Sequence, residues 1–116
     1  MVKQGDIITI NLDPIKGHEQ AGYRPALIVS NVMYSKNSNM TLICPITNSN
    51  RNSIMHVKLT NTKTTGFVLC DQIRAVDLYS RKYKKVDTLD ESTLWDVCDI
   101  IKGSVDMLEQ TAYPPE

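Results

Sequence analysis

From Gly5 to Val86 the apolar and polar positions of this chain follow a period of two, broken repeatedly by polar turns. Only after Asp90 does the period lengthen to that of a helix. In Gly5 to Leu12, Ile8, Ile10 and Leu12 fall on one side and Ile7, Thr9 and Asn11 on the other, the pattern of a half-buried strand. Asp13-Pro14 ends it, and a loop runs on to Gly22. Pro25 to Ser30 holds the run Ala26-Leu27-Ile28-Val29, apolar on both sides. This predicts a central strand covered twice, with Pro25 at its start, where a missing N–H is least costly. Asn31 to Asn39 is polar and reads as a loop.

Met40 to Thr47 predicts a third strand with Leu42, Cys44 and Ile46 on one face, and Pro45 points to an edge position or a bulge. After a turn rich in asparagine, Ile54 to Leu59 alternates again, with Met55, Val57 and Leu59 inward and His56 and Lys58 outward. A turn over residues 60–65 leads to two apolar bursts, Phe67-Val68-Leu69-Cys70 and Ile73-Arg74-Ala75-Val76, read as one long bent strand. Lys82 to Val86 reads as an edge strand whose lysines discourage unwanted pairing. Asp90 is an N-cap with Glu91 in the first turn, and Leu94, Val97, Cys98, Ile101, Val105 and Leu108 recur at helical spacing as a core-facing stripe. Gly103 lies on the opposite side. Many short strands and one C-terminal helix predict a β-rich α+β fold, a small barrel with a packed helix. A single domain is expected over residues 1–110, with 111–116 as a short frayed tail.

Composition narrows the possibilities. A chain of 116 residues has the length for one modest core. Its 13 Lys and Arg balance 13 Asp and Glu, so a polyanionic partner would have to be met by basic groups clustered in space. The three cysteines, Cys44, Cys70 and Cys98, are far apart and odd in number, which excludes a disulfide framework and suits small buried side chains in a reducing compartment. The opening residues lack the apolar core of a signal peptide, and no run approaches the length of a membrane span, so a cytoplasmic domain is expected.

Few residues have the pattern of a reactive site. His18 and His56 are the only histidines and have no ligand spacing around them, so neither a metal nor another cofactor is expected. A cysteine nucleophile is disfavoured because Cys44 and Cys70 lie in apolar strand patterns that raise a thiol pKa. Arg24 stands just before a central strand, where it either forms a surface salt bridge, for instance with Glu19, or grips a phosphate with its planar fork. Thr47 closes a strand, as a turn-former or as a donor to the same phosphate. Gln72 is an amide suited to satisfying backbone or to reading a base edge. Lys82, Lys84 and Lys85 form a solvated edge or a surface that steers RNA.

Three segments resemble, in order and spacing, the MazF/PemK toxins of bacterial type II toxin–antitoxin pairs. They are Gly5-Asp6-Ile7 with Asp13-Pro14; the stretch Lys16-Gly17-His18-Glu19-Gln20-Ala21-Gly22-Tyr23-Arg24-Pro25 running into the strand to Ser30; and Cys44 to Asn48 followed by Asp71-Gln72-Ile73. The resemblance implies an SH3-like barrel of antiparallel strands with a C-terminal helix, usually a homodimer, and metal-independent cleavage of single-stranded RNA at short sequence motifs. It places the catalytic arginine on Arg24 and the catalytic threonine on Thr47. It places RNA contacts on Glu19, Gln20, Asn48 and Gln72, and on His18, where many members carry serine. It implies transesterification by the ribose 2′-hydroxyl, inhibition by a MazE-like antitoxin with an acidic, flexible segment, and contact with operator DNA only through that antitoxin. Two rivals remain at this point: a gyrase-poisoning toxin of the CcdB type, disfavoured by Arg24, Thr47 and the Pro-Pro-Glu terminus, and a nucleic-acid-binding barrel without catalysis.

Overall fold

The computed structural model describes residues 2–12, 22–49 and 52–109. The loop between Leu12 and Gly22, with His18, Glu19 and Gln20, lies outside them, as does the tail 111–116. Seven strands form where the alternation is cleanest: β1 (Asp6–Asn11), β2 (Tyr23–Ile28), β3 (Thr41–Thr47), β4 (His56–Lys58), β5 (Phe67–Leu69), β6 (Arg74–Val76) and β7 (Tyr83–Thr88). Every pairing is antiparallel, in the order β4-β5-β3-β2-β1-β7, with β6 added on β3. The two ends of this path approach one another where the Asp87 carboxylate of β7 accepts the Thr64 backbone N–H, 2.9 Å, from the turn between β4 and β5. The sheet is thus an open, curled barrel. α1 (Val32–Ser38) joins β2 to β3, and α2 (Glu91–Val105) follows β7. This β-rich α+β architecture with a C-terminal helix is the one expected. No helix of the described residues is long and apolar enough to cross a membrane.

Strand alternation sorts the apolar side chains into two cores. Ile7, Leu27, Val29, Cys44, Ile46, Val68, Cys70 and Leu89 face inward, where Val97 of α2 joins them and Leu94, Ile100 and Ile101 pack alongside. Ile8, Ile10, Ala26, Ile28, Ile43 and Val76 face the other way and are covered by Val2, Leu12 and Leu78. β1 is therefore apolar on both faces at Ile7 and Ile8, not half-buried as its alternation suggests. α2 is started by Asp90, whose carboxylate accepts the Thr93 N–H at 3.0 Å. Its last turn leaves the core: Val105 is 77% exposed and Leu108, beyond the helix, 76%, so the apolar stripe is only partly used.

Four other expectations are corrected. The polar stretch after Ser30 is the helix α1, held by its ends: Asn31 accepts the Tyr34 N–H, and Asn39 adopts the left-handed conformation that closes a helix. Pro45 is in a central strand. On the side away from β2, β3 pairs with β6 at residues 41–43 and with β5 at 46–47, and the switch between them leaves a gap where a residue without an N–H loses nothing. The two bursts after Gly66 are two strands, split by a 3-10 turn at Cys70–Gln72, because both pair with β3 at different levels. His56, placed outward by alternation, has a side chain only 5% exposed, with Nε2 3.7 Å from the Asp71 carboxylate.

The inner core holds the cysteines as free thiols, Cys44 and Cys70 buried and Cys98 half-buried. Burial first, then the neighbouring thiols and Asp71, pushes Cys44 up to about 12. Burial and Asp71 push Cys70 up to about 11. Neither is a nucleophile near neutral pH. Asp6, fully buried, is held by the Lys3 N–H at 2.8 Å and by the Lys85 ammonium at 3.3 Å.

Candidate active site

Two strand ends build the site. β2 pairs with β3 through Ala26 opposite Pro45, Leu27 opposite Cys44 and Ile28 opposite Ile43. That pairing ends at Ala26 opposite Pro45, two residues short of both Arg24 and Thr47, and at Thr47 the hydrogen-bonded neighbour of β3 is β5. Both belong to the face of Ala26, Ile28 and Ile43, at the end where its apolar cover stops. Both residues thus stand on strands, just past the end of the β2–β3 ladder, rather than on a loop.

Arg24 is exposed, and its Nη1 donates to the Tyr23 carbonyl at 3.1 Å, which leaves most of the guanidinium's five donors to a ligand. Among the described residues no carboxylate pairs with it. Glu19, the salt-bridge candidate of the sequence, lies outside them. Thr47 is half-buried, and its hydroxyl oxygen accepts the Ser49 N–H at 3.2 Å, a local turn bond that leaves the hydroxyl proton able to point outward. The turn-forming role and the donor role are thus compatible. Asn48, next along, accepts the Thr65 hydroxyl at 3.1 Å. Gln72 is exposed at the end of the 3-10 turn between β5 and β6. That turn runs beside the middle of β3, about 10 Å back along the strand from Thr47. The structure therefore sets Arg24 near one end of β2, Thr47 and Asn48 at the neighbouring end of β3, and Gln72 to one side. Leu12 N–H donates to the Gly22 carbonyl at 3.1 Å, so the loop that carries His18, Glu19 and Gln20 in sequence leaves and returns beside Arg24.

Gly66 was not singled out by sequence reasoning. A Cβ on it would lie 2.6 Å from the Thr47 carbonyl oxygen and 2.9 Å from its carbon, and its φ of +123° is one that side chains rarely adopt. Only glycine lets the β4–β5 hairpin close onto the end of β3. Its position at the head of an apolar burst was the available signal. Among the described residues no group of three His, Cys, Asp or Glu side chains is arranged to hold a metal ion.

A curled antiparallel sheet followed by a C-terminal helix carries an arginine and a threonine near neighbouring strand ends. The chain matches the family described as "PemK-like, MazF-like toxin of type II toxin-antitoxin system" over residues 3–105, and it belongs to that family. It is 33% identical over 104 residues to the endoribonuclease toxin MazF of Escherichia coli (strain K12), covering 90% of each chain. It is 28% identical over 116 residues to the endoribonuclease EndoA of Bacillus subtilis (strain 168), covering 94% of this chain and 98% of that one. Among solved structures it is similar to MazF from Deinococcus radiodurans, with a TM-score of 0.77 and 28% identity over 91% of this chain and 97% of that one.

Proposed function

We propose that this chain is the toxin of a type II toxin–antitoxin pair and acts as a sequence-specific endoribonuclease on single-stranded RNA, stopping translation and growth by cutting mRNA. Arg24 and Thr47 near the neighbouring ends of β2 and β3, in a chain whose relatives are named endoribonucleases, support the reading. The ribose 2′-hydroxyl attacks the adjacent phosphorus, the 5′-oxygen leaves, and the products carry a 2′,3′-cyclic phosphate and a 5′-hydroxyl. Arg24 stabilises the charge that builds on the phosphorane oxygens through two parallel N–H bonds, and Thr47 adds a hydroxyl donor. The guanidinium stays protonated, so the proton of the 2′-hydroxyl goes to another group, for which Glu19 is the candidate by sequence position, and the departing 5′-oxygen takes up a proton from solvent water. The nucleophile is supplied by the substrate itself, whose 2′-hydroxyl distinguishes RNA from DNA. Asn48 and Gln72, with His18, Glu19 and Gln20 on the loop, are the residues assigned to contact RNA.

The protein works as a homodimer in the cytoplasm, where its free thiols stay reduced. An antitoxin with an acidic, flexible segment inhibits it by covering the RNA site and offering carboxylates to Arg24 in place of phosphates. The family's definition as the toxin half of such pairs supports that partner. The deciding experiment incubates the purified protein with a long RNA in excess chelator and maps fragment ends, then replaces the scissile ribose by its 2′-deoxy form. Cyclic-phosphate ends, and loss of cutting at the deoxy position alone, are expected. Normal cutting of the deoxy bond, or its arrest by chelator, means that water or a metal makes the attack. RNA bound but left intact would point to a non-catalytic barrel, and trapped gyrase would point to a toxin of the CcdB type.

A further inference from the structure

β7 contains a pattern that the cleavage chemistry does not use. Its register with β1 sets Tyr83 opposite Ile10 and Lys85 opposite Ile8, and β1 in turn sets Ile10 opposite Arg24. Tyr83 therefore lies in the same row across the sheet, and on the same face, as Arg24. The separation is two strand spacings, about 10 Å. The ring is 38% exposed. The Asn11 N–H donates to the Lys82 carbonyl at 3.2 Å, which continues the register and puts Arg81 opposite Leu12, on Tyr83's face again. Along the strand that face thus reads Arg81, Tyr83, Lys85: an aromatic ring between two cations. Both cations are anchored. Arg81 Nη1 donates to the Asn11 carbonyl at 3.1 Å, using one of its five donors, and Lys85 leans on buried Asp6 at 3.3 Å.

We infer that Tyr83, flanked by Arg81 and Lys85, is a nucleobase-stacking subsite for single-stranded RNA, holding a base beside the scissile phosphate gripped at Arg24. A sequence-tolerant aromatic platform beside backbone-tracking cations is the standard physical solution for an unpaired strand. About 10 Å is three rises of 3.4 Å for a stacked strand and fewer for an extended one, so the base held is one to three nucleotides from the cut. The subsite extends the cleavage reading and rests on it for the position of the phosphate. Its alternation is invisible in composition, because the opposite parity of the same strand carries Lys82 and Lys84.

The test uses RNA made uncuttable by one 2′-deoxy substitution at the mapped cut site, with 2-aminopurine placed at successive positions on either side. Wild-type protein should quench the probe at one position within three nucleotides of the cut. Tyr83→Leu should abolish that quenching and weaken binding about tenfold, and Tyr83→Phe should keep both. In cleavage of unmodified RNA, Tyr83→Leu should raise KM for the long substrate about tenfold more than for one trimmed to the cut-site core. Equal effects on long and trimmed RNA, undiminished quenching in Tyr83→Leu, or failure of Tyr83→Phe to restore it would overturn the subsite. So would a shift of Tyr83→Leu to a different oligomeric state, which would make the ring a contact between copies. RNA that is stacked on Tyr83 yet never cut would leave the subsite standing and remove the nuclease reading beneath it.

Discussion

The inner face of the sheet is closed over by α2, whereas the outer face is buried only midway along its strands. On β2 the inward Leu27 and the outward Ala26 and Ile28 are all buried, yet Arg24, two residues from Ala26 on the outward parity, stands in solvent. On β3 the inward Ile46 is buried and the outward Thr47 only partly so. One parity of β2 and β3 thus serves the main core at Leu27, Cys44 and Ile46, and the other serves a small second core and then ends in polar chemistry. Stability and function are separable because neighbouring residues of the same strands carry them on opposite faces.

Arg24→Ala is the sharpest attempt to break that separation. Losing a bidentate donor to the phosphorane should lower cleavage about a hundred- to a thousandfold, with the melting temperature almost unchanged, because the side chain is exposed and its one bond is to the neighbouring carbonyl. Arg24→Lys should fail almost as badly, since a point charge cannot reproduce the fork. Single-turnover cleavage beside thermal melts checks both, and near-normal cutting by the alanine variant would take Arg24 out of the mechanism. The inward neighbour should behave oppositely. Leu27→Ala leaves a cavity in the main core and should destabilise by about 2–5 kcal/mol, while the folded fraction still cuts RNA at close to the normal rate.

Gly66 sits where the two regions meet. Gly66→Ala forces a Cβ against the Thr47 carbonyl at 2.6 Å, backbone against backbone, and the φ of +123° keeps the alanine from escaping. The end of β3 must move. Displacing Thr47 by a fraction of an ångström should lower kcat about tenfold, more than it raises KM. A variant that melts early but cuts normally when folded would show that the hairpin, not the site, absorbs the clash.

The strands and α2 were legible because a period of two and a period near four are written directly in Ile8-x-Ile10, Leu42-x-Cys44-x-Ile46 and Leu94 to Ile101. α1 was not, because it buries no residue: its stability lies in the caps at Asn31 and Asn39 rather than in an apolar stripe. Pro45 misled because the rule for prolines treats a strand as having one partner per side, whereas β3 changes partner next to it. His56 misled because alternation says which way a side chain leaves the strand, not that the turn bearing Asp71 folds over it. Arg24 and Thr47 were visible as residues, and the resemblance supplied their roles. That their strand ends are neighbours follows from the pairing of β2 with β3, which no single segment contains. The Arg81-Tyr83-Lys85 face was hidden for a related reason, since a strand polar on both parities gives no sign of which one faces the site.

The smallest expected effect concerns the far side of the molecule. The Thr93 backbone N–H and hydroxyl hold the Asp90 carboxyl below its ordinary value of 3.8. A carboxyl whose pKa is lower folded than unfolded stabilises the fold above the unfolded value. That contribution fades as pH falls through the folded one. Asp90→Asn keeps a capping oxygen for Thr93 but cannot titrate. Between pH 5 and pH 3 its melting temperature should therefore fall slightly less than that of the wild type, with cleavage at neutral pH unchanged. The cap acts on α2 and the main core, and no part of it reaches the outer face. If Asp90→Asn instead slowed cleavage at neutral pH without loss of stability, the two faces would be coupled through the helix, and the separation drawn from β2 and β3 would not extend to the whole barrel.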